Sequence, residues 1–160
     1  KLLIILNLNR GRLLEYYKKL RQYVGHEPLI LPGSVVLILN EQNEVLLQER
    51  APGIYGLPGG LMELGESLED TARREVLEET GLHVGELTLC QVYSGPDYYI
   101  ENPNGDTFYS VTTVYKTNEY EGLLTPDELE SISLQFFPPN NLPNGILASY
   151  RTFIEDELMD

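Results

Sequence analysis

Apolar positions in this chain recur at two spacings, and the changes between them mark out the elements. Residues 12–24 carry Leu13, Leu14, Tyr17, Leu20 and Tyr23 at helical spacing, which predicts a short amphipathic helix. Gly25, Pro28 and the pair Pro32-Gly33 then interrupt the chain. Residues 34–39 (SVVLIL) form a nearly continuous apolar run, the pattern of a buried strand. A polar turn at Glu41-Gln42-Asn43 leads into residues 44–50 (EVLLQER), expected to be a second strand paired back on the first. Residues 51–60 hold two prolines and four glycines and are expected to be a constrained loop.

Residues 67–80 give the clearest helical pattern. Ser67 with Asp70 three residues on is a capping-box pair, and Gly81 suits the left-handed position that ends a helix. Residues 86–93 and 108–116 read as strands, with loops at Gly95-Pro96 and at Asn102-Pro103-Asn104-Gly105 and a hairpin that includes residues 98–101. Residues 131–137 make a last strand and residues 146–158 a closing helix. Strands and helices mix without a regular βαβ repeat, so the expected fold class is α/β, a sandwich over a mixed sheet.

Composition narrows the functions. The chain has 160 residues, enough for one domain with its own core. Its 11 Lys and Arg stand against 25 Asp and Glu, a net charge of −14. That sign argues against gripping a nucleic-acid duplex by its phosphates or docking on anionic lipid. A phosphate-bearing ligand would need a metal ion held by some of these carboxylates. Cys90 is the only cysteine, so no internal disulfide forms, which fits a reducing, cytoplasmic setting. In its apolar surroundings Cys90 reads as a small buried hydrophobe. Residues 1–8 (KLLIILNL) are too short for a membrane span and lack a small-residue cleavage site, so no signal peptide is expected. The missing initiator Met suggests a trimmed start. His26 and His83 are too isolated for a transition-metal site.

Within residues 67–80 one feature stands out. At roughly 100° per residue, Glu75, Glu78 and Glu79 share an arc of about 100°. The apolar stripe Leu68, Ala72 and Val76 lies beside them, so Glu75 and Glu79 border the packed face. Like charges at these spacings cost about 0.2–0.5 kcal/mol per pair. The helix dipole disfavours anions near its C-terminal end by about 0.3–1 kcal/mol more. A bound divalent cation would reverse both signs, and oxygen-only ligands point to Mg²⁺, with Mn²⁺ or Ca²⁺ as competitors. Periodicity alone does not separate this from a solvated acidic face with Arg74 paired to Glu78.

The flanking residues do. Gly60, five residues, Glu66, seven residues, Arg74-Glu75-Val76, one residue, Glu78-Glu79, one residue, Gly81-Leu82 matches every fixed position of G-x5-E-x7-R-E-U-x-E-E-x-G-U. The chain thereby resembles the Nudix hydrolase family, and the lead-in Gly56-Leu57-Pro58-Gly59-Gly60 is similar too. The resemblance implies a Nudix-type α/β/α sandwich over residues 32–160, preceded by an N-terminal segment, 1–31, with a short helix. It implies that Glu75, Glu78 and Glu79 coordinate Mg²⁺ and that Arg74 orients a glutamate. Glu66 and the Gly60 carbonyl would join the metal shell, and Gly59 would let the backbone approach the substrate.

The implied reaction is hydrolysis of a pyrophosphate bond in a nucleoside diphosphate linked to another moiety, or in a noncanonical nucleoside triphosphate. Glu79 is the first choice for general base. Among the later acids Asp127, Glu128 and Glu130, the better placed is Glu128. Arg50 is a candidate phosphate contact; Tyr55 and Tyr98 are candidate stacking surfaces. Pro96 is the kind of residue that marks ADP-ribose hydrolases, and Tyr98 and Tyr99 the kind that marks dinucleoside polyphosphate hydrolases. The partner is thus a nucleotide, with a homodimer through the N-terminal helix as a further expectation. The competing class is a nucleotide-sensing module of Nudix descent without turnover.

Overall fold

A computed structural model describes residues 16–159; the apolar run 1–8 and the start of the first expected helix lie outside the described residues. In chain order the elements are α1 (Tyr16–Val24), β1 (Leu29–Ile38), β2 (Val45–Ala51), β3 (Ile54–Gly56), β4 (Gly59–Leu61) and α2 (Leu68–Thr80). Then follow β5 (His83–Val84), β6 (Thr88–Tyr93), β7 (Tyr99–Glu101), β8 (Thr107–Thr117), β9 (Tyr120–Glu121), β10 (Ser133–Phe137) and α3 (Ala148–Leu158).

Alternation along β1 builds the two main layers. Val36 and Ile38 face α2, packing with Leu46 of β2, Ala72 and Val76 of α2, Leu82 and Tyr115. Val35, Leu37 and Leu39 face the opposite way, onto Leu47, Val114 and the α3 residues Tyr150, Phe153 and Ile154. Each fully buried side chain of this kind contributes about 1.5–3 kcal/mol. Because β1 and β2 divide their side chains between the same two layers, their sheets lie side by side as one central layer. Helix α2 covers one face and α3 the other, which is the expected α/β/α sandwich.

The larger sheet runs β4-β1-β8-β6, with β7 also on β8. Only β1 and β8 pair in parallel, from Leu29–Phe108 to Ile38–Thr117; β4, β6 and β7 add antiparallel, so the sheet is mixed. The smaller sheet is β10-β2-β3, and β5 pairs with β9. A third cluster, Tyr17, Leu31, Ile100 and Phe108, seats α1. Arg21 locks it there, donating to the carbonyls of Gly25, Glu27 and Thr107.

Four expectations change. First, β2 is not a hairpin partner of β1. A single bridge, Leu39–Val45, joins them, and β2 turns away to β3 and β10. The reason is that both edges of β1 are already taken, by β4 and β8. Second, Pro32-Gly33 sits inside β1. Pro32 brings no N–H to the ladder but its carbonyl still accepts from Met62 N, and Gly33 leaves room for the Gly60 carbonyl, which a Cβ would meet at 2.5 Å. Third, residues 51–60 contain β3 and β4, carrying the chain from the small sheet to the large one. Fourth, Cys90 is only half-buried on the edge strand β6. Burial still pushes its thiol up to about 11, so it is an unreactive group at neutral pH.

Candidate active site

Helix α2 is fixed at both ends, which sets the direction in which its acids point. Ser67 Oγ accepts from Asp70 N at 3.0 Å and Asp70 Oδ2 accepts from Ser67 N at 2.9 Å, the reciprocal capping box. Gly81, at φ 75°, closes the far end with its N–H on the Leu77 carbonyl. Ala72 and Val76 are fully buried in the α2 layer, so the arc carrying Glu75, Glu78 and Glu79 turns onto β4 and the loop before it.

Arg74 is the hub of what results. Its Nε and Nη2 grip Glu66 with two prongs, at 2.5 and 2.9 Å. Nη1 donates to Glu75 Oε1 at 2.5 Å and reaches Glu78 Oε2 at 3.5 Å; Nη2 also donates to the Leu61 carbonyl. Glu66 accepts further from the Thr71 hydroxyl and from Glu63 N. The Arg74 hydrogen bonds, helped by those of Glu63 and Thr71, hold the Glu66 carboxyl down at about 2.

Glu79 lies deeper, 3% exposed, in the seam where the chain passes from β3 to β4. Gly59 N donates to its Oε2 at 2.8 Å, and Arg50 Nη2 lies 3.4 Å from its Oε1. Glu75 lies directly over Gly60, where a Cβ would come within 2.5 Å of its carboxyl carbon. Burial pushes Glu75 up and Glu79 well above the ordinary carboxylate range; Arg74 and Arg50 oppose this, and mutual repulsion adds to it. Four carboxylates (Glu66, Glu75, Glu78 and Glu79) face two guanidinium groups (Arg50 and Arg74), which leaves two negative charges when all are ionised.

One dication would balance that remaining charge. Among the described residues no three His, Cys, Asp or Glu side chains are gathered as a ready metal cage. Glu75 and Glu78 are turned onto Arg74, whose guanidinium occupies the point where they converge. The donor set nonetheless fits a hard cation: carboxylates on one arc, partly desolvated and mutually repelling.

Of the other expected residues Gly59, Gly60 and Arg50 adjoin the cluster, and the rest stand elsewhere. Gly59, at φ 150°, is glycine because a Cβ would come within 2.7 Å of the Val35 Cα; its N–H serves Glu79. The Gly60 carbonyl faces Gly33 of β1. Arg50 is nearly enclosed and spends Nη2 on the Leu57 carbonyl as well as Glu79. Tyr55 is half-buried edge-on to Phe137, and Tyr98 packs on Tyr93 and Phe153 near α3. Glu128 is exposed, whereas the charge of Glu130 acts on Arg50, Glu75 and Glu79. The sequence does not single out Glu63 and Thr71 as holders of Glu66, nor Tyr150, whose ring meets Gly56 where Arg50 Nε does. Only Thr71 carried a local signal, one turn into the helix.

Comparison with known proteins agrees with this geometry. The model of the NUDIX domain matches residues 30–156. An ADP-ribose pyrophosphatase of Methanocaldococcus jannaschii is 34% identical over 130 residues, which is 79% of this chain and 70% of that protein. A putative 8-oxo-dGTP diphosphatase of Bacillus subtilis is 31% identical over 125 residues, 78% of this chain and 77% of the relative. Among solved structures, the MutT NUDIX hydrolase from Burkholderia pseudomallei superposes with a TM-score of 0.69 at 26% identity, covering 82% of this chain and 99% of that one.

Proposed function

The chain belongs to the Nudix hydrolase family, and from that premise we propose that it is a Mg²⁺-dependent pyrophosphohydrolase of nucleoside diphosphates linked to a second moiety. The observation that carries this reading is the charge imbalance around α2: four glutamates against Arg74 and Arg50, with Glu75 and Glu79 desolvated. Mg²⁺, with Mn²⁺ as substitute, would be held by Glu75, Glu78 and Glu79, and when bound it supplies charge neutralisation and polarisation of the phosphoanhydride. A cytoplasmic setting, where such nucleotides are made, goes with this reading.

The chain's own residues do the rest. Glu66, fixed by Thr71, Glu63 and Arg74, keeps the guanidinium in place, and Arg74 in turn aims Glu75 and Glu78. Water adds to one phosphorus, the bridging P–O bond breaks towards the departing phosphate, and a carboxylate takes the proton of the water. Both Glu79 oxygens already accept from Gly59 and Arg50, so Glu79 is a fixed member of the site. Glu130 closes a turn on Asp127, whose N–H donates to the Glu79 carbonyl, and this ranks it ahead of Glu128 as the loop candidate for that proton. The products are a nucleoside monophosphate and a phosphorylated second group.

The substrate class rests on the M. jannaschii relative's name; the B. subtilis relative's name supports a noncanonical triphosphate as second reading. A panel of ADP-ribose, nucleoside diphosphate sugars, dinucleoside polyphosphates and 8-oxo-dGTP, with Mg²⁺ and with chelator, tests the proposal. Mg²⁺-dependent monophosphate release from a diphosphate-linked substrate is expected. Saturable binding with no turnover of any member would overturn it in favour of a sensing module.

A further inference from the structure

Arg50 belongs to this site, but its contacts differ from those expected of it. It was a natural candidate for touching a substrate phosphate from the end of β2, yet its side chain is only 12% exposed. Its guanidinium lies in the seam between the two sheets. Nη2 is shared between the Leu57 carbonyl and Glu79, and Nε is buried with no hydrogen-bond partner. From the opposite layer Tyr150 of α3, 9% exposed, reaches the same seam, its ring and Arg50 Nε both bordering Gly56. Gly56 makes the meeting possible. A Cβ there would lie 2.9 Å from the Tyr150 ring and 3.1 Å from Arg50 Nε.

We propose that Arg50, braced by Tyr150 across the Gly56 gap, is a positioning residue that holds the Glu79 carboxylate in the seam and so couples the α3 layer to the metal helix. A guanidinium already enclosed by Glu79, Leu57, Gly56 and Tyr150 has little surface left for substrate. Its loss therefore acts on Glu79, and through it on catalysis. The inference rests on reading Glu79 as part of the active site, and the tests below separate the two.

The first is a double-mutant cycle in thermal stability, without substrate or metal. Arg50→Met leaves the buried Glu79 uncompensated and lowers Tm by about 6 °C or more. In a Glu79→Gln background the same substitution loses less than half as much, because the charge it served is gone. Equal losses in both backgrounds would overturn the pairing, whether or not the protein is a hydrolase. The second is kinetic, at saturating Mg²⁺. Displacement of Glu79 lowers kcat of Arg50→Met on the order of tenfold to a hundredfold while KM stays within about twofold. A KM raised tenfold at unchanged kcat would return Arg50 to a substrate contact. Tyr150→Phe, which removes only the hydroxyl, shifts kcat in the same direction by a smaller factor and again spares KM. Titration of Mn²⁺ into Arg50→Met without substrate completes the test: weaker binding than wild type is expected, and wild-type affinity counts against the proposal.

Discussion

Replacing Gly60 with alanine isolates the geometry of Glu75 from everything else in the site. The backbone there tolerates a side chain, but the new Cβ would stand 2.5 Å from the Glu75 carboxyl carbon and 2.6 Å from its Oε1. Ordinary carbon–carbon contact lies at about 3.5–4.0 Å, so the carboxylate must retreat by about 1 Å. The atoms in the way are the far end of a flexible side chain, so the fold yields cheaply. An off-rotamer Glu75 costs about 0.5–1.5 kcal/mol, which for a chain of this size lowers Tm by about 1–6 °C. Catalysis does not yield so cheaply: a 1 Å displacement of a positioned group costs on the order of 10²-fold. Steady-state release of nucleoside monophosphate at saturating Mg²⁺, with a melt on the same sample, reads both numbers. A kcat within threefold of wild type, with the protein folded and metal affinity unchanged, would refute the placement of Glu75. Gly59→Ala is not an equivalent probe. Its φ of 150° and the nearby Val35 backbone make it a folding defect first.

Glu79→Gln preserves volume and should cut kcat by about 10³-fold, measured on the same substrate; activity within tenfold would remove Glu79 from the mechanism. Glu130→Gln should lower kcat by about 10²-fold or more and Glu128→Gln hardly at all; the reverse order would restore Glu128. The pH dependence of stability has a definite sign. Burial raises the folded pKa of Glu75 and Glu79, so the stability they allow is full below the unfolded value, about 4.3, and is lost as pH rises through the folded values. Glu66, held at about 2, works the other way, losing its contribution as pH falls from about 4.3 towards 2. Melts of chelator-treated protein from pH 5 to 8 should therefore fall with pH and recover with Mg²⁺; a Tm that rises with pH and ignores Mg²⁺ would count against the cluster.

What the sequence made legible was local. The capping box, the glycine stop and the three-glutamate arc of α2 all depend on residues within a turn or two of each other, and each stands where its spacing placed it. Strand positions were readable wherever a run was apolar, as in β1, β8 and β10. Pairing was not, because β1 takes its partners from β4 and β8, tens of residues away, and turns down the neighbour its own hairpin turn offers. The same holds for the site. Arg74 with the α2 glutamates is a neighbour relation along one helix. Arg50 with Glu79 spans 29 positions, and Tyr150 comes from the far end of the chain. Nothing in the composition of residues 127–130 distinguishes Glu130 from Glu128; the turn that Asp127 makes under Glu130 and Ser131, with Asp127 N on the Glu79 carbonyl, does.

If the crowded glutamates of α2 accept a dication and need it for turnover, metal binding and hydrolysis must rise together. Mn²⁺ titration of chelator-stripped protein, read by paramagnetic resonance and run in parallel on wild type and Glu75→Gln, tests it most directly. Wild type should bind saturably and the variant at least tenfold more weakly, with nucleotide hydrolysis appearing as the metal site fills. Absence of Mn²⁺ binding in wild type, together with hydrolysis that persists in chelator, would contradict it.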